Sequence, residues 1–285
     1  DRDHMETYEH DFELLTATFL EFIHRLPFYG LVVLCIDDPA VRSLLPAITR
    51  PYITYGFSAD ADIRAINWHV DGRRTHFTVQ IPGYSEPIAM QVNLSGKHNV
   101  LNSLAALAVA LEADIPVTCI QDSLAQFKGV GRRFEVLGEF SIDDKNFTLM
   151  DDYGHHPREV QAVIEAARGS WPGRRLVMIY QPHRYTRTKA LFEDFAVTLS
   201  EVDVLIMLDI YSAGEAQIPG VDSRNLCGSI RQRGLVDPIF VEDTEQLSVI
   251  LQSIVQDGDI VITQGAGTIG KIAKSLAQQF VECVV

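Results

Sequence analysis

Cysteine, long apolar runs and positive charge are all scarce in this sequence. Its 285 residues include four cysteines that lie far apart and form no C-x-x-C pair, which argues against a zinc site and a disulfide framework. No apolar run reaches the ~20 residues of a membrane-spanning helix, and the N-terminus lacks the charged-then-apolar pattern of a signal peptide. We therefore expect a cytoplasmic protein with reduced thiols at Cys35, Cys119, Cys227 and Cys283.

The charge balance argues against one class of partner. The chain has 24 Lys and Arg against 38 Asp and Glu, a formal net charge of −14. Sequence-independent binding of nucleic acid needs clustered Lys and Arg side chains to neutralise the phosphates. We expect a small substrate or a protein partner instead, with no nucleic acid and no membrane.

Three catalytic signatures are also missing, namely G-x-x-x-x-G-K-[ST], G-x-S-x-G and H-E-x-x-H.

Length and periodicity predict two α/β units, 1–131 and 132–285. A chain of 285 residues is too long for one typical core, and two glycines near Gly131 separate two different patterns. In the first unit the spacing of apolar residues predicts a helix over 12–26 and a strand over 31–36. A small antiparallel patch with an Asp71-Gly72 turn is predicted over 52–94, and two further helices over 99–111 and 120–127.

The second unit alternates apolar strands with amphipathic helices, which is typical of a parallel, doubly wound sheet. The predicted strands are Phe147–Met150, Leu176–Tyr180, Val204–Leu208, Pro238–Val241 and Asp259–Thr263. Open sheets of this kind bind ligands at the carboxyl edge of their strands. Reactive side chains that follow these strands are therefore candidates for a site.

Two candidate motifs lie before or at the predicted joint. The segment Ser95–Asn102 places Asn99 and Asn102 on one helical face, where their amides suit the edge of a purine. In the structural alternative, Asn99 caps the helix. The segment Gly131–Phe134 holds two arginines, and a guanidinium there either clamps a phosphate bidentately or is solvated linker charge.

A third motif, Met150–Pro157, follows an apolar strand directly and contains two carboxylates and two imidazoles. Pro157 suits the first position of the next helix, and Gly169 suits its C-terminal cap. A purely structural interpretation makes Asp151 a turn residue and His156 a helix cap. The density of ionisable groups favours a functional site instead.

A fourth motif, Gln181–Thr188, follows the strand Leu176–Tyr180. Arg184 and Arg187 are spaced to converge on one anionic group, which forked guanidinium donors bind well. We expect them beside the third motif, on an adjacent strand end. The alternative is a basic surface turn.

The fifth motif is the G-x-G-x-x-G segment Gly265–Gly270, which raises the hypothesis of a dinucleotide-dependent oxidoreductase. That fingerprint needs a following strand with an acidic residue ~20 residues on, and the chain ends at Val285. We therefore interpret the glycines as a tight strand-to-helix turn that faces the cleft, with Lys271 as a weak anion site.

Together these motifs resemble those of the Mur ligases, ATP-dependent enzymes that add amino acids to the UDP-muramoyl precursor of peptidoglycan. The resemblance runs from Asp3-His4-Met5 to the Gly265 turn. It implies the C-terminal part of a central ATPase-like α/β domain in residues 1–131, followed by a Rossmann-like amino-acid or substrate domain in 132–285. It also implies ATP and Mg²⁺ as cofactors.

The resemblance implies roles for particular residues. His4 would help to hold magnesium. Asn99 and Asn102 would meet the adenine, Arg133 the ATP phosphates and Asp152 the ribose.

The third and fourth motifs are similar to those of the family's L-alanine-adding member. The similarity implies that His155, Arg184 and Arg187 contact the alanine or muramoyl end of the substrate. The implied partners are UDP-N-acetylmuramate and L-alanine, joined at the lactyl carboxylate through an acyl phosphate. Another muramoyl-peptide ligase of the same family is the first alternative.

The family's UDP-binding domain, its phosphate loop and a magnesium-binding glutamate have no counterpart in these residues. Because the sequence starts at Asp1 rather than Met, we expect it to begin inside a longer gene product and to be inactive alone. A non-catalytic binding fragment is the second alternative, and the oxidoreductase is the third.

Overall fold

The computed structural model of the chain describes residues 5–9, 11–72 and 74–282. It divides into two compact units, 1–128 and 129–285. Within the described residues, every helix is too short or too polar to cross a membrane.

The first unit is built on one five-stranded sheet whose strands lie in sequence order. The strands are β1 (Val32–Cys35), β2 (Tyr52–Gly56), β3 (Ile63–Asp71), β4 (Arg74–Gln80) and β5 (Ile88–Val92). The helices are α1 (Phe12–His24), α2 (Pro39–Leu44), α3 (Lys97–Glu112) and α4 (Val117–Gln126), with short 3₁₀ turns at Met5–Tyr8 and Leu45–Ala47. Strands β1, β2 and β3 are parallel neighbours, whereas β4 and β5 run antiparallel to their neighbours. The predicted antiparallel patch is therefore a continuation of the parallel sheet.

Helix α3 supplies much of the core of this unit. Val100, Leu104 and Leu107 recur at helical spacing and are fully buried against the sheet residues Ile63 and Val79. Burial of one such aliphatic side chain contributes roughly 1.5–3 kcal/mol. This packing fixes the N-terminal end of α3, which carries the two candidate asparagines.

The second unit is a six-stranded sheet of strand order β10-β9-β8-β11-β7-β6. Its strands are β6 (Glu135–Ile142), β7 (Lys145–Asp152), β8 (Leu176–Tyr180), β9 (Val204–Leu208), β10 (Ile239–Val241) and β11 (Asp259–Gln264). Its helices are α5 (Pro157–Ser170), α6 (Tyr185–Ala190), α7 (Phe192–Leu199), α8 (Ser223–Arg233), α9 (Leu247–Ile254) and α10 (Ile269–Glu282), with a 3₁₀ turn at Thr244–Gln246. All neighbours are parallel except the β6–β7 pair. The predicted doubly wound parallel sheet is confirmed, and β6 is an additional strand.

Helices cover both faces of this sheet, which explains the uninterrupted apolar strands. One face packs against α5, α7 and α8, and the other packs against α9 and α10. Strand β8 serves both cores, since Met178 points into the first and Ile179 into the second.

The chain crosses from one face to the other before β11, which is inserted between β7 and β8. The carboxyl ends of these three strands therefore form the switch point at which open sheets bind ligands. The expectation that the third and fourth motifs follow adjacent strands is wrong, because β11 separates them.

Candidate active site

The third, fourth and fifth motifs meet at the carboxyl edge of the second sheet. Backbone pairing continues beyond the strands there. The N–H of Gly265 donates to the carbonyl of Asp152 at 3.1 Å, and the N–H of Gln181 donates to the carbonyl of Gln264 at 3.0 Å. The loops after β7, β8 and β11 thus leave the sheet side by side.

The turn from β7 into α5 is closed by a capping box. His156 is the N-cap, Pro157 takes the first helical position as predicted, and the Glu159 carboxylate reaches back to the turn. Glu159 Oε2 accepts hydrogen bonds from the N–H groups of His155 at 2.8 Å and His156 at 3.1 Å. The structural interpretation of His156 as a cap is correct, and this cap fixes the backbone of His155.

The far end of α5 differs from the prediction. Gly169 lies inside the last turn and is not the C-terminal cap, because the helix runs to Ser170 and Trp171 takes the cap position. The Trp171 N–H still donates to the carbonyl of Ala167 at 3.0 Å, which extends the helix past the glycine. Asp151, interpreted in the structural alternative as a turn residue, is a buried residue of β7.

Glu159 also connects two candidate site residues. Its Oε1 accepts from Arg133 Nη1 at 3.3 Å, and its Oε2 lies 3.6 Å from His155 Nδ1. Burial raises the pKa of Glu159, but the N–H donors of His155 and His156, the charge of His155 and the hydrogen bond from Arg133 outweigh it and hold the pKa below its usual value. The Arg133 side chain remains about half exposed, at 52%, and lies over the ring of Tyr153. It is placed where an anion can reach it.

The neighbouring Arg132 has a different environment. Its Nε donates to the buried Asp151 Oδ2 at 2.8 Å, and its Nη2 donates to the Gly265 carbonyl at 2.7 Å. A side chain on Gly270 would collide with this guanidinium. Arg132 therefore ties the ends of β7 and β11 together, a role that the sequence motif did not reveal.

Asp152 is buried at the centre of this edge. Its Oδ2 accepts from the Phe134 N–H at 2.8 Å, and its Oδ1 accepts from the Gly154 N–H at 2.7 Å and from Gln264 Nε2 at 3.2 Å. Burial raises the pKa of Asp152 more than these donors lower it. A ribose hydroxyl at this carboxylate would be a further donor to a group that already accepts three hydrogen bonds.

The loop after β8 places Arg187 in a buried position beside His183. Arg187 Nη1 lies 3.2 Å from His183 Nδ1 and donates to the His183 carbonyl at 3.3 Å. Burial first, and then the nearby charges of Arg187, His155 and Arg184, lower the pKa of His183 to about 4. The sequence predicted roles for Arg184 and Arg187 but none for His183.

A row of four rings bridges the strand ends. The ring of Tyr153 meets that of His155 edge-on at 5.4 Å, His155 lies 5.5 Å from His183, and His183 stacks on Tyr211 at 5.5 Å. Tyr211 follows β9, so the row spans three strand ends. The third and fourth motifs therefore meet through side chains although β11 lies between their strands.

The glycines of the fifth motif serve close packing, and the segment forms the predicted strand-to-helix turn. Gly265 has φ +145° and approaches the Gln181 carbonyl, and a side chain on Gly267 would collide with Tyr211. Gln181 Oε1 accepts from the Ile269 N–H at 3.0 Å, at the start of α10. Lys271 is exposed in the first turn of this helix.

The two asparagines of the first unit lie together on α3. Asn99 is buried and donates from Nδ2 to the Ser95 carbonyl at 2.8 Å, and Asn102 Nδ2 lies 3.5 Å from Asn99 Oδ1. The structural alternative that Asn99 caps the helix is wrong, because the N-cap is Gly96 with φ +106°. The amide pair that we expected on one face is therefore formed.

The predicted magnesium ligand, His4, lies outside the described residues. Across the described part of the chain, no three His, Cys, Asp or Glu side chains converge on a position for a metal ion.

Two family models match this chain. The Mur ligase middle domain matches residues 1–110, and the Mur ligase glutamate ligase domain matches residues 132–267. Together the two matches cover most of the sequence.

Solved structures of Mur ligases share the fold. UDP-N-acetylmuramate-alanine ligase MurC from Thermotoga maritima is 22% identical with a TM-score of 0.77, over 99% of this chain and 58% of that chain. MurF ligase from Thermotoga maritima, in complex with ADP, is 19% identical with a TM-score of 0.71, over 96% of this chain and 58% of that chain. The murein peptide ligase Mpl from Psychrobacter arcticus is 20% identical with a TM-score of 0.65, over 93% of this chain and 54% of that chain. This chain therefore spans a little over half the length of these proteins.

Proposed function

Because the chain belongs to the Mur ligase family, we propose that the full-length protein is an ATP-dependent ligase that joins L-alanine to the lactyl carboxylate of UDP-N-acetylmuramate in peptidoglycan synthesis. One observation carries the proposal: His155 follows β7 and the two arginines Arg184 and Arg187 follow β8, yet all lie at the same edge of the sheet, where the rings of His155 and His183 are in contact. The edge combines cationic groups for a carboxylate with an imidazole beside them.

The proposed reaction has two steps. A carboxylate oxygen of the muramate first attacks the γ-phosphorus of ATP, which releases ADP and forms an acyl phosphate. The alanine amine then attacks the acyl carbon, loses a proton and expels inorganic phosphate to leave an amide. Negative charge builds up on oxygen in both steps, so preorganised cations beside those oxygens lower the barrier.

Arg184 and Arg187 are the proposed cations. Arg187 is buried, and its Nη1 lies 3.2 Å from the imidazole Nδ1 of His183 and donates to the His183 carbonyl at 3.3 Å. A guanidinium in a buried position attracts an anion more strongly than one in bulk water, because the local dielectric is lower. We assign His155 to the alanine or muramoyl end, at the junction of the third and fourth motifs.

We propose contacts with the nucleotide in each of the two units. In the first unit, Asn99 and Asn102 present amide groups for the adenine edge. In the second, Arg133 offers an exposed guanidinium for the phosphates, and Asp152 is assigned to the ribose. ADP in the related MurF structure supports nucleotide binding in this fold. Mg²⁺ bound with ATP, with help from His4, would neutralise phosphate charge.

The second candidate function is that of another member of the same family. MurF and Mpl share the fold of this chain at TM-scores of 0.71 and 0.65. The second candidate is therefore a muramoyl-peptide ligase whose amine substrate is a peptide.

Amine specificity separates the two candidates. The full-length protein is incubated with ATP, Mg²⁺ and UDP-N-acetylmuramate, and with L-alanine, a dipeptide or a tripeptide in turn. ADP formation and the product mass are then measured. We expect ADP only when UDP-N-acetylmuramate and L-alanine are both present, and a product mass equal to their sum minus water. Turnover with a peptide and none with L-alanine would support the second candidate, whereas no ADP with any amine would contradict the proposed alanine ligase.

A further inference from the structure

The loop after β9 holds the arginine motif in a strained conformation. Arg184 has φ +71°, a backbone conformation that is unfavourable for a residue with a Cβ and that persists only where the surroundings enforce it. Two backbone hydrogen bonds do so, from the Arg184 N–H to the Tyr211 carbonyl and from the Tyr211 N–H to the Pro182 carbonyl, both at 2.8 Å.

Glu215, from the same loop, reaches the start of α6. Its Oε1 accepts from the Thr186 hydroxyl at 2.7 Å, and its Oε2 accepts from the Thr186 N–H at 3.1 Å. The side chain of Arg184, the N-cap residue of helix α6, accepts no hydrogen bond from the first turn of that helix. The Glu215 carboxylate accepts the hydrogen bond of a first-turn N–H group instead.

The same carboxylate contacts the guanidinium that the motif presents. Arg184 Nη1 lies 3.7 Å from Glu215 Oε1, and the Glu215 side chain is only 19% exposed. Burial raises the pKa of Glu215, but the Thr186 donors and the charge of Arg184 outweigh it and keep the pKa below its usual value. Glu215 is thus an anion under neutral conditions.

We propose that Glu215 is a positioning residue of the carboxylate or acyl-phosphate pocket: it fixes the start of α6 and the direction of the Arg184 guanidinium, and so sets affinity for the anionic substrate without touching it. The inference rests on the proposed function of Arg184 and Arg187. It makes the loop from Tyr211 to Glu215 part of the site, although no earlier motif included it.

Three variants of the full-length protein test this proposal. Glu215→Ala removes both contacts, whereas Glu215→Gln keeps an oxygen acceptor for Thr186 but removes the charge beside Arg184. Glu193→Gln is the matched control, because Glu193 pairs with Arg233 and its side chain is 75% exposed.

We expect Glu215→Ala to raise the KM for UDP-N-acetylmuramate or L-alanine about tenfold to a hundredfold while the KM for ATP stays within about twofold. Glu215→Gln should restore part of the loss, and the control should match the wild type. A folded Glu215→Ala enzyme with unchanged KM values for both substrates would overturn the proposal.

An NMR measurement keeps the test independent of catalysis and of the folding of the alanine variant. The Nε–H signal of Arg184, assigned with Arg184→Lys, should shift in Glu215→Gln and stay in place in Glu193→Gln. No shift in Glu215→Gln would overturn the proposal. If the wild type forms no ADP with its proposed substrates, the proposed function fails, and the Arg184 signal still decides whether Glu215 holds this guanidinium.

Discussion

Arg187 Nη1 lies 3.2 Å from His183 Nδ1, and this contact determines the protonation state of the imidazole. A guanidinium has donors only, so Nδ1 of His183 must accept and its proton must be on Nε2. His183 is therefore neutral, in agreement with a pKa of about 4. Protonation would place two cations in contact within the partly buried loop.

The first prediction follows from this neutral histidine. In the unfolded chain His183 titrates near its ordinary pKa of 6.5, whereas in the fold it titrates near 4. Between these values the unfolded state binds more protons, so the free energy of unfolding should fall as pH is lowered from 6.5 to 4 and be unaffected by this group above that window. Urea unfolding of His183→Asn, which keeps an acceptor but does not titrate, should show a smaller fall. His69→Asn, at an exposed position of β3 in the first unit, is the control, and an equal fall in His183→Asn and wild type would contradict the prediction.

The second prediction concerns Arg187 as a substrate contact. Arg187→Ala in the full-length protein should weaken use of L-alanine or UDP-N-acetylmuramate by ~1.5–3 kcal/mol, roughly ten- to a hundredfold in kcat/KM, with a much smaller effect on ATP. Arg233→Ala removes an arginine paired to an exposed carboxylate and should change neither. Unchanged kinetics of Arg187→Ala for both substrates would show that this arginine binds neither.

The third prediction tests the packing of Arg132 against Gly270. Gly270→Ala should destabilise the protein by about 1–3 kcal/mol, because the new methyl group collides with the Arg132 guanidinium. In an Arg132→Ala background the same change should cost far less, so the double-mutant cycle should be non-additive. Urea midpoints of the four proteins measure this.

A matched glycine separates this contact from a general effect of alanine in helices. Gly228 lies inside α8 with open space around it, so Gly228→Ala should stabilise by roughly 0.5–1 kcal/mol. Additive costs of Gly270→Ala and Arg132→Ala would show that the two residues do not interact.

The fourth prediction is that the segment 132–285 folds alone. It contains buried cores on both faces of its sheet, built from α5, α7 and α8 on one side and from α9 and α10 on the other. Expressed separately, it should unfold in one cooperative transition by circular dichroism and by fluorescence. Non-coincident transitions or a molten product would place the boundary elsewhere.

The sequence predicted the strands of the second unit apart from β6, because each predicted strand is a largely apolar run bounded by turns. Strands β8 and β9 begin and end at the predicted residues. Strand β6 was missed because Gly138 and a register shift between Val136 and Gly138 interrupt its alternation. The turn that follows uses Asp143 and Asp144 with φ values of +48° and +63°, a weaker signal than an Asn-Gly pair.

The candidate site was predictable only as separate motifs. Strand ends are visible in the sequence, but their lateral order is not, so the insertion of β11 between β7 and β8 could not be inferred. Contacts that depend on this order were missed for the same reason, such as Arg132 with Gly265 and Glu215 with Thr186. The topology brings these partners together across long stretches of chain.

Transfer of oxygen from the muramoyl carboxylate to phosphate tests the central claim most directly. UDP-N-acetylmuramate labelled with ¹⁸O in the lactyl carboxylate is turned over by the full-length protein with ATP and L-alanine, and the released phosphate is analysed by mass spectrometry. Because the acyl phosphate forms through a carboxylate oxygen and the amine breaks the carbon–oxygen bond, each phosphate should carry one ¹⁸O from that carboxylate. Amide formation with unlabelled phosphate would contradict the acyl-phosphate mechanism.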